Sequence, residues 1–304
     1  MEKKIAALIA AILMLTCACA LADDVVTAES LLAGNGLKAS LERGDYMREY
    51  AEYYDADGEM YDYNDIIYKR GASGYNMLIV YPEDSGASVG ATLVGGNYYV
   101  TIEDGVPSYT LYASATYAES GSELEVGEDA YTAYPAFNEG LQMTRNAEGE
   151  YVVTAQIAAD KCDQTVVADH GHDMAENDHD MAENDVIYDE YTYDADLNLK
   201  SEEIYYLRDG DKRLCERITF EYNADGTVYE QYAQSVGTRT ITVVLNSGRD
   251  DEHRMEFAIS DSGSVHFVLG TGGVLYADAA FSAAVPSEGD GASYNQSEYY
   301  VVTD

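Results

Sequence analysis

The sequence is poor in positive charge, and this shortage excludes two classes of partner. Lys and Arg number 17 against 56 Asp and Glu, which gives a formal net charge of −39 at pH 7. Such a surface repels nucleic acid and anionic membranes, and it attracts cations or basic partners. Solubility alone is the alternative interpretation of the same charge. Global disorder is not implied, because hydrophobic residues still make up 46% of the chain.

The sequence also lacks tryptophan and has only five phenylalanines, whereas it has 29 tyrosines. The absence of Trp counts against a stacking platform for sugars. Tyrosine is favoured in β-strands, where its ring covers a half-buried face while its hydroxyl reaches water. A tyrosine-lined binding face is the functional alternative to tyrosine as ordinary strand filler.

Long apolar runs are missing after the first residues of the chain. Those residues read MEKKIAALIAAILMLTCACALADD, with a short basic start, an apolar run from Ile5 to about Leu15, and small residues that end at Ala22. This pattern is typical of a secretory signal peptide, and the apolar run is shorter than the roughly 20 residues of a membrane span. We predict a signal peptide over residues 1–22 and an exported, extracytoplasmic protein, which is not an integral membrane protein after cleavage. A retained anchor and a lipid-anchored cysteine are the alternatives.

Cysteine is scarce as well, with four in the chain, of which the predicted cleavage removes two. The remaining pair, Cys162 and Cys215, predicts one disulfide bond in an oxidising compartment. Two buried free thiols are the alternative. In the alternating segment around it, Cys215 shares a face with Arg217 and Thr219, so we expect the bond on the wetter side of a sheet.

Period-two alternation of apolar and polar residues predicts the fold class. RLCERITFEY (213–222), HRMEFAIS (253–260) and SVHFVLG (264–270) alternate in this way. Turn signals separate such runs, and three of them share a spelling, as YDADGEMY, YDADLNLK and YNADGTVY. We therefore predict a mainly β protein, an antiparallel meander of about a dozen strands that forms an incomplete barrel or a curved sheet.

The remaining segments predict the domain organisation. Thr27 to Arg43 has the apolar spacing and the capping residue of an N-terminal helix. We predict a β-rich domain over residues 23–285, interrupted by an acidic insert at 163–185. The Ser/Gly-rich residues 286–304 predict a flexible C-terminal tail, although SEYYVV within them could add a strand.

The order of elements resembles a known family. A helix is followed by REYAEYYDADGEMYDYNDIIYKRG (48–71), NMLIVYP (76–82) and NYYVTIEDGVPSYTLYA (97–113). Over about residues 25–115 this order resembles the extracytoplasmic lipoprotein-carrier and lipid-binding proteins of the LolA/LppX type. The resemblance implies an incomplete antiparallel barrel closed by helices, which holds acyl chains in an apolar hollow. It implies a lipid, a lipoprotein or a cell-envelope component as partner, and no catalytic residues.

No motif indicates an enzyme. Gly86-Ala87-Ser88-Val89-Gly90 spells G-x-S-x-G, but a nucleophile elbow needs a strand before the serine and a helix after it. The following ATLVGGNYYV is typical of strand, turn and strand. We predict a non-enzymatic protein in which no cofactor is certain.

The insert contains the strongest candidate for a ligand site, because HDMAEND occurs twice within HGHDMAENDHDMAEND (170–185). As a helix it would place imidazoles and carboxylates on one face, which suits zinc; as an extended segment it would pair imidazole with thioether, which suits copper. A recent duplication in a solvated loop is the alternative. The candidate metal ligands are His170, His172, Met174, Glu176, His179, Met181 and Glu183.

Together these features predict a secreted, non-enzymatic binding protein. It would carry an apolar ligand or a lipoprotein and would have a candidate metal-binding loop that collects cations. The alternative is an acidic cell-surface interaction module that binds a basic partner. An apolar-lined interior would favour the carrier, and a filled core would favour the surface module.

Overall fold

A computed structural model describes residues 26–33, 41–55, 57–83, 88–124, 141–158, 186–208 and 211–302. Within these ranges the helices are α1 (Ala28–Ala33), α2 (Ala115–Ser120), α3 (Thr227–Val236) and a short 3₁₀ turn, Gly291–Ser293. The strands are β1 (Tyr46–Tyr54), β2 (Met60–Arg70), β3 (Tyr75–Pro82), β4 (Val89–Val94), β5 (Tyr98–Glu103), β6 (Val106–Tyr112), β7 (Gln142–Arg145), β8 (Tyr151–Ala158), β9 (Val186–Tyr193), β10 (Leu199–Arg208), β11 (Asp211–Tyr222), β12 (Arg239–Leu245), β13 (His253–Ile259), β14 (Ser264–Val268), β15 (Val274–Tyr276), β16 (Ala284–Val285), β17 (Glu288–Asp290) and β18 (Glu298–Val302).

The described strands form two sheets. A thirteen-stranded sheet has the order β17-β14-β6-β5-β4-β3-β2-β1-β11-β10-β9-β8-β7, and a five-stranded sheet has the order β13-β12-β18-β15-β16. Neighbouring strands are antiparallel except for β14 with β6 and β12 with β18, which are parallel. Among the described strands the large sheet is not closed into a barrel, because β17 and β7 remain its edges. The predicted fold class, mainly β with an open antiparallel sheet, is confirmed.

Each face of the large sheet is buried over a different set of strands. The face that carries Leu78, here called the Leu78 face, packs from β2 to β6 and β14 against the five-stranded sheet and α3. Leu78 and Ile241 of this larger core are wholly buried. Tyr109 joins its parts, since its hydroxyl donates to the Val236 carbonyl at 2.7 Å and accepts from the Ser260 amide at 2.9 Å. The cover over this face is thus mostly a second sheet, whereas the resemblance implied helices.

The opposite face of the large sheet carries a smaller core at its β8–β10 end, where α1 covers it. Leu31 and Leu32 of α1 are buried there. Thr27 caps the helix, because its hydroxyl accepts the Ser30 amide at 3.1 Å. The predicted start of the N-terminal helix is therefore confirmed, and residues 34–40 of its predicted length lie outside the described ranges.

Two of the three repeated turn spellings form the predicted hairpin turns, and the third does not. The Asp55 carboxylate accepts two amides between β1 and β2, and the Asp194 carboxylate does the same between β9 and β10. In YNADGTVY, however, Asp225 accepts the Thr227 amide at the start of α3. An Asx turn presents the same local geometry to a strand or to a helix, so the following residues decide the outcome. Tyr229 and Val236, buried on α3, make it a helix.

Residues 286–302, for which a flexible tail was predicted, pair with both sheets, and the strand that SEYYVV was expected to allow is present as β18. Strand β17 pairs with β14 at the edge of the large sheet, and β18 lies between β12 and β15 in the middle of the small one. Tyr294 and Val301 are buried in the larger core. Burial of these apolar side chains offsets the entropy of ordering a Ser/Gly-rich segment.

Several predicted features lie outside the described ranges: the signal peptide of residues 1–22, the insert at 163–185, and Cys162. For the part of the chain that is described, no helix has the length and apolar character needed to cross a membrane.

Candidate functional site

The register of four adjacent strands brings acidic side chains together on the face opposite Leu78. Directly opposed residues of antiparallel strands project to the same side of a sheet. Glu216 of β11 stands opposite Ile204 of β10, which in turn stands opposite Asp189 of β9. In the next row, Glu202 of β10 stands between Ile218 and Tyr191. We call Asp189, Glu202 and Glu216 the carboxylate cluster and this side of the sheet the carboxylate face.

The three carboxylates are almost fully removed from solvent. Asp189 is 1% exposed, Glu202 is 0% exposed and Glu216 is 8% exposed. Burial disfavours the ionised form. It raises the pKa of Asp189 to about 7, and it raises the pKa of Glu216 to about 7 with a further contribution from the neighbouring charges of Glu49 and Asp189. Burial, followed by the charges of Asp189 and Glu216, raises the pKa of Glu202 well above its usual range.

Tyrosine hydroxyls are the hydrogen-bond donors to these acids. Tyr191 donates to Asp189 Oδ2 at 3.4 Å, and its hydroxyl also reaches Glu202. Tyr53 of β1 donates to Glu216. Since a hydroxyl has one proton, Tyr191 serves only one of its two carboxylates at a time. Asp189 Oδ1 is buried and has no hydrogen-bond partner.

Among the residues that the structure describes, no ion pair neutralises Asp189 or Glu216. The ion pairs of the same strands involve the next residues in sequence, which project to the other face: Lys212 with Glu190 at 3.1 Å and Arg217 with Glu203 at 2.8 Å. A buried, ionised carboxylate without a positive partner is strongly unfavourable. The cluster must therefore hold protons or a cation.

Partly exposed apolar residues continue the carboxylate face across β2, β3 and β4. Glu49 of β1 is the link, because it stands between Phe220 on one side and Ile66 on the other. Burial raises the pKa of Glu49 to about 7, while a hydrogen bond from the Tyr68 hydroxyl at 3.2 Å opposes the shift. Beyond it lies what we call the apolar strip, whose members are all partly exposed: Ile66, Tyr68, Met77, Ile79 and Val94.

Cys215 does not follow the alternation that was expected to place it with Arg217 and Thr219. The pairing of β10 with β11 shifts between Ile204 and Tyr205, so Cys215 is the extra residue of a β-bulge. It consequently packs against the smaller core on the carboxylate face. Burial raises the pKa of its thiol to about 12. It has no disulfide partner within the described ranges, and Cys162 lies outside them.

The structure describes only some of the residues of the other predicted sites. His170, His172, Met174, Glu176, His179, Met181 and Glu183 lie outside the described residues. Among the residues that are described, no group of three or more His, Cys, Asp or Glu is placed to hold a metal ion. Ser88 of the G-x-S-x-G motif donates to Glu83 and leads into strand β4, so the helix of a nucleophile elbow does not follow it.

Two surface cavities lie away from the carboxylate cluster. One, of about 450 Å³, has the acidic side chains of Glu103, Asp261 and Asp290 in its lining. The other, of about 270 Å³, includes Arg48 and Tyr50. Neither has the apolar lining that a carrier requires.

The sequence analysis did not predict the carboxylate cluster, although the alternation of the strands contains a signal for part of it. Asp189 and Glu216 each occupy the apolar phase of their strand, in VIYDEYTY and DKRLCERITFEY, whereas both phases of LKSEEIYYLR around Glu202 are mixed. An acidic residue in that phase is expected to be buried with the apolar residues that flank it.

The solved structures that are similar to this chain include the following two. The crystal structure of LprF from Mycobacterium bovis has 12% sequence identity and a TM-score of 0.35, and the match covers 66% of this chain and 95% of that chain. The LolA superfamily protein NE2245 from Nitrosomonas europaea has 13% identity and a TM-score of 0.24, with the same coverage of 66% and 95%. No protein-family model and no curated protein matches the sequence.

The second of these structures is described as a LolA superfamily protein, the type of protein that the order of elements resembles. At these identities and TM-scores the similarity carries no argument about ligand or mechanism, which depend on the residues of this chain.

Proposed function

We propose that the protein is an exported, non-enzymatic binding protein that carries an amphiphilic ligand, such as a lipid or a lipoprotein acyl group, on the carboxylate face. One observation supports this proposal above the others: Asp189 and Glu216, buried and without an ion-pair partner among the described residues, adjoin partly exposed apolar residues on one continuous sheet face. A core that served stability alone would be as stable or more stable with apolar residues in place of these acids. Export would follow cleavage after Ala22.

Extraction of the purified protein with organic solvent, followed by mass spectrometry, tests the carrier proposal. We expect an amphiphile in a defined ratio to the protein, because apolar surface on the strip is more favourable when covered. Ile79→Gln on the strip should reduce the recovered amount several-fold. Val106→Gln, which changes an aliphatic residue 59% exposed on β6, should leave it unchanged. Recovery of no amphiphile from several expression hosts would contradict the proposal.

The acidic interaction module is the second candidate, and the formal net charge of −39 favours it. In this proposal the surface charge, rather than the sheet interior, would contact a basic partner. Binding to a lysine-rich peptide should then weaken steeply with added salt. Tight, salt-insensitive binding of an amphiphile with negligible peptide binding would contradict this second candidate.

For the insert, we propose weak and reversible binding of zinc or copper by His170, His172 and His179, with the neighbouring Met and Glu side chains. Three histidines and two methionines within sixteen residues support the proposal. Calorimetric titration with Zn²⁺ and Cu²⁺ should show one stoichiometric event that His→Ala at all three positions abolishes. The event should weaken as pH falls through about 6.5, where imidazole takes up a proton. Equal binding by the variant would mean that the acidic surface alone collects the cations.

We also propose that Cys162 and Cys215 form a disulfide bond after export. Bridging them would stabilise the fold by about 4 kcal/mol in the chain-entropy model, because the loop that it closes is long. Thiol labelling of the unfolded, unreduced protein should find no free thiol. Labelling of two thiols per mature chain would refute the bond.

A further inference from the structure

We propose that the carboxylate cluster binds the positively charged amine of an amphiphile, whose apolar chain lies along the apolar strip. This inference rests on the proposed carrier function and deepens it, because it names the chemistry of the ligand's polar group.

The arrangement of the cluster fits an organic ammonium group better than a metal ion. Asp189 and Glu202 are diagonal neighbours across β9 and β10, and Glu202 and Glu216 are diagonal neighbours across β10 and β11. Diagonal neighbours stand roughly 7–8 Å apart at the backbone, so the carboxylates are spread over a region of this width rather than gathered at one point. This agrees with the absence of a metal-holding group among the described residues. A primary ammonium has three N–H donors for such a space.

Asp189 gives an independent indication that a hydrogen-bond donor from a ligand binds at the cluster. Its Oδ1 atom is buried and has no hydrogen-bond partner, while the side chain faces Glu202 and Glu216 closely enough to perturb the pKa of both. Buried polar atoms in native proteins are nearly always hydrogen-bonded. A donor brought by a ligand would satisfy this oxygen and compensate the negative charge around it.

The apolar strip has the position and length for the remainder of such a ligand. From Glu216 on β11, the carboxylate face continues over Glu49 on β1 to Ile66 on β2 and Ile79 on β3. Three strand spacings span about 14 Å across the sheet, and the path also runs about 13 Å along the strands because Glu216 stands opposite Tyr53, four residues from Glu49. The resulting distance of roughly 19 Å is comparable to an extended hexadecyl chain, and a decyl chain would reach the nearer part of the strip. At the solvent end of the cluster, Tyr61 is 49% exposed and lies beside Glu216 and Cys215, which marks the side from which a ligand would enter.

Protons compete with the amine for these sites. Because the pKa values of Asp189 and Glu216 lie at about 7, binding of the cation should release protons below that pH and should tighten as pH rises through it. The titratable groups that face the cluster, from every described strand around it, are Glu49, Tyr53, Tyr61, Asp62, Tyr68, Glu202, Tyr191 and Cys215. None of these groups carries a positive charge, so none of them can take the place of the amine.

Binding of decylamine, decanol and decanoate to the full mature protein, stripped of bound lipid, tests the inference. Calorimetry at about pH 8 should give at least about tenfold tighter binding of decylamine than of decanol, and decanoate should bind most weakly. The preference should shrink at about pH 6, where the acids hold protons. Asp189→Asn combined with Glu216→Gln should abolish the preference while decanol still binds.

The matched control is Glu190→Gln combined with Glu203→Gln, which removes the same charge from the same or neighbouring strands on the opposite face. It should keep the amine preference, and circular dichroism should show both double variants folded. Equal binding of decylamine and decanol by the wild type would overturn the inference and leave the carrier proposal intact. Failure of all three probes to bind would overturn both.

Uptake from phosphatidylethanolamine vesicles but not from phosphatidylglycerol vesicles would identify a lipid headgroup as the source of the amine. Uptake of decylamine alone would identify a free amine.

Discussion

Replacing Glu216 with glutamine is expected to stabilise the ligand-free protein at about pH 8 and to change its stability little at about pH 4. Burial is the main reason that the pKa of this carboxyl rises from 4.5 to about 7 in the folded state. At high pH the folded protein therefore holds a buried charge that the unfolded chain solvates freely. Removing that charge is worth on the order of 3 kcal/mol, since each pKa unit corresponds to about 1.4 kcal/mol.

The direction of the pH dependence follows from proton counts. Below about 4.5 both states are protonated, and the acid does not reduce stability. Between about 4.5 and about 7 the folded state holds a proton that the unfolded state has lost, so the free energy of unfolding falls as pH rises. Above about 7 the dependence ends. Asp189 acts in the same direction over its own range, from 3.8 to about 7.

Urea unfolding at a series of pH values, followed by far-ultraviolet circular dichroism, measures this effect in a protein without tryptophan. Glu256→Gln is the matched control, because it removes one charge from an exposed position on β13. This control separates the buried cluster from general repulsion among the acidic residues. Parallel pH profiles for the wild type and Glu216→Gln would contradict the prediction.

Phe267→Ala is expected to lower the free energy of unfolding by about 3–5 kcal/mol, the range measured for deletion of a buried aromatic ring. Phe267 of β14 is 2% exposed and joins the two sheets. Its ring contacts Phe257 of β13 and Tyr299 of β18 at centroid distances of 6.5 Å, and Tyr294 at 5.2 Å. Nothing nearby is free to fill the cavity, because the same three rings are buried.

Denaturant titration of three variants checks this second prediction. Phe267→Leu, which keeps most of the volume, should cost less than half as much as Phe267→Ala. His266→Ala, at the neighbouring exposed position of β14, should change stability by no more than about 0.5 kcal/mol. A small effect of Phe267→Ala would mean that the two sheets do not form one cooperative unit.

Local patterns in the sequence were sufficient for much of the fold. Met255, Phe257 and Ile259 of β13 are buried as their alternation predicts, and Val265 and Phe267 of β14 are buried likewise. These predictions succeed because the side-chain period of a strand requires no knowledge of its partner.

Predictions failed where a distant contact decided between local alternatives. The Asx turn at Asp225 starts a helix, because Tyr229 and Val236 bury against the larger core. The segment after Pro286 looks unstructured by composition, yet β18 pairs in parallel with β12, about fifty residues earlier. Cys215 left its expected face because of a one-residue bulge opposite β10. Each outcome depends on pairings that short windows of sequence do not contain.

The sequence by itself determined that this is an acidic, mainly β protein with an N-terminal helix cap and Asp-based hairpin turns, because composition, period and turn chemistry are local properties. Only the tertiary structure decided that Asp189, Glu202 and Glu216 share one buried space. Asp189 and Glu216 lie in the apolar phase of their own strands, which favours burial, but the meeting of all three acids requires β9, β10, β11 and β1 to lie side by side. Strand β1 is more than 130 residues away in the chain, and its Tyr53 completes the site. The charge that results is unfavourable within the fold, and either protons or a positively charged ligand would relieve it.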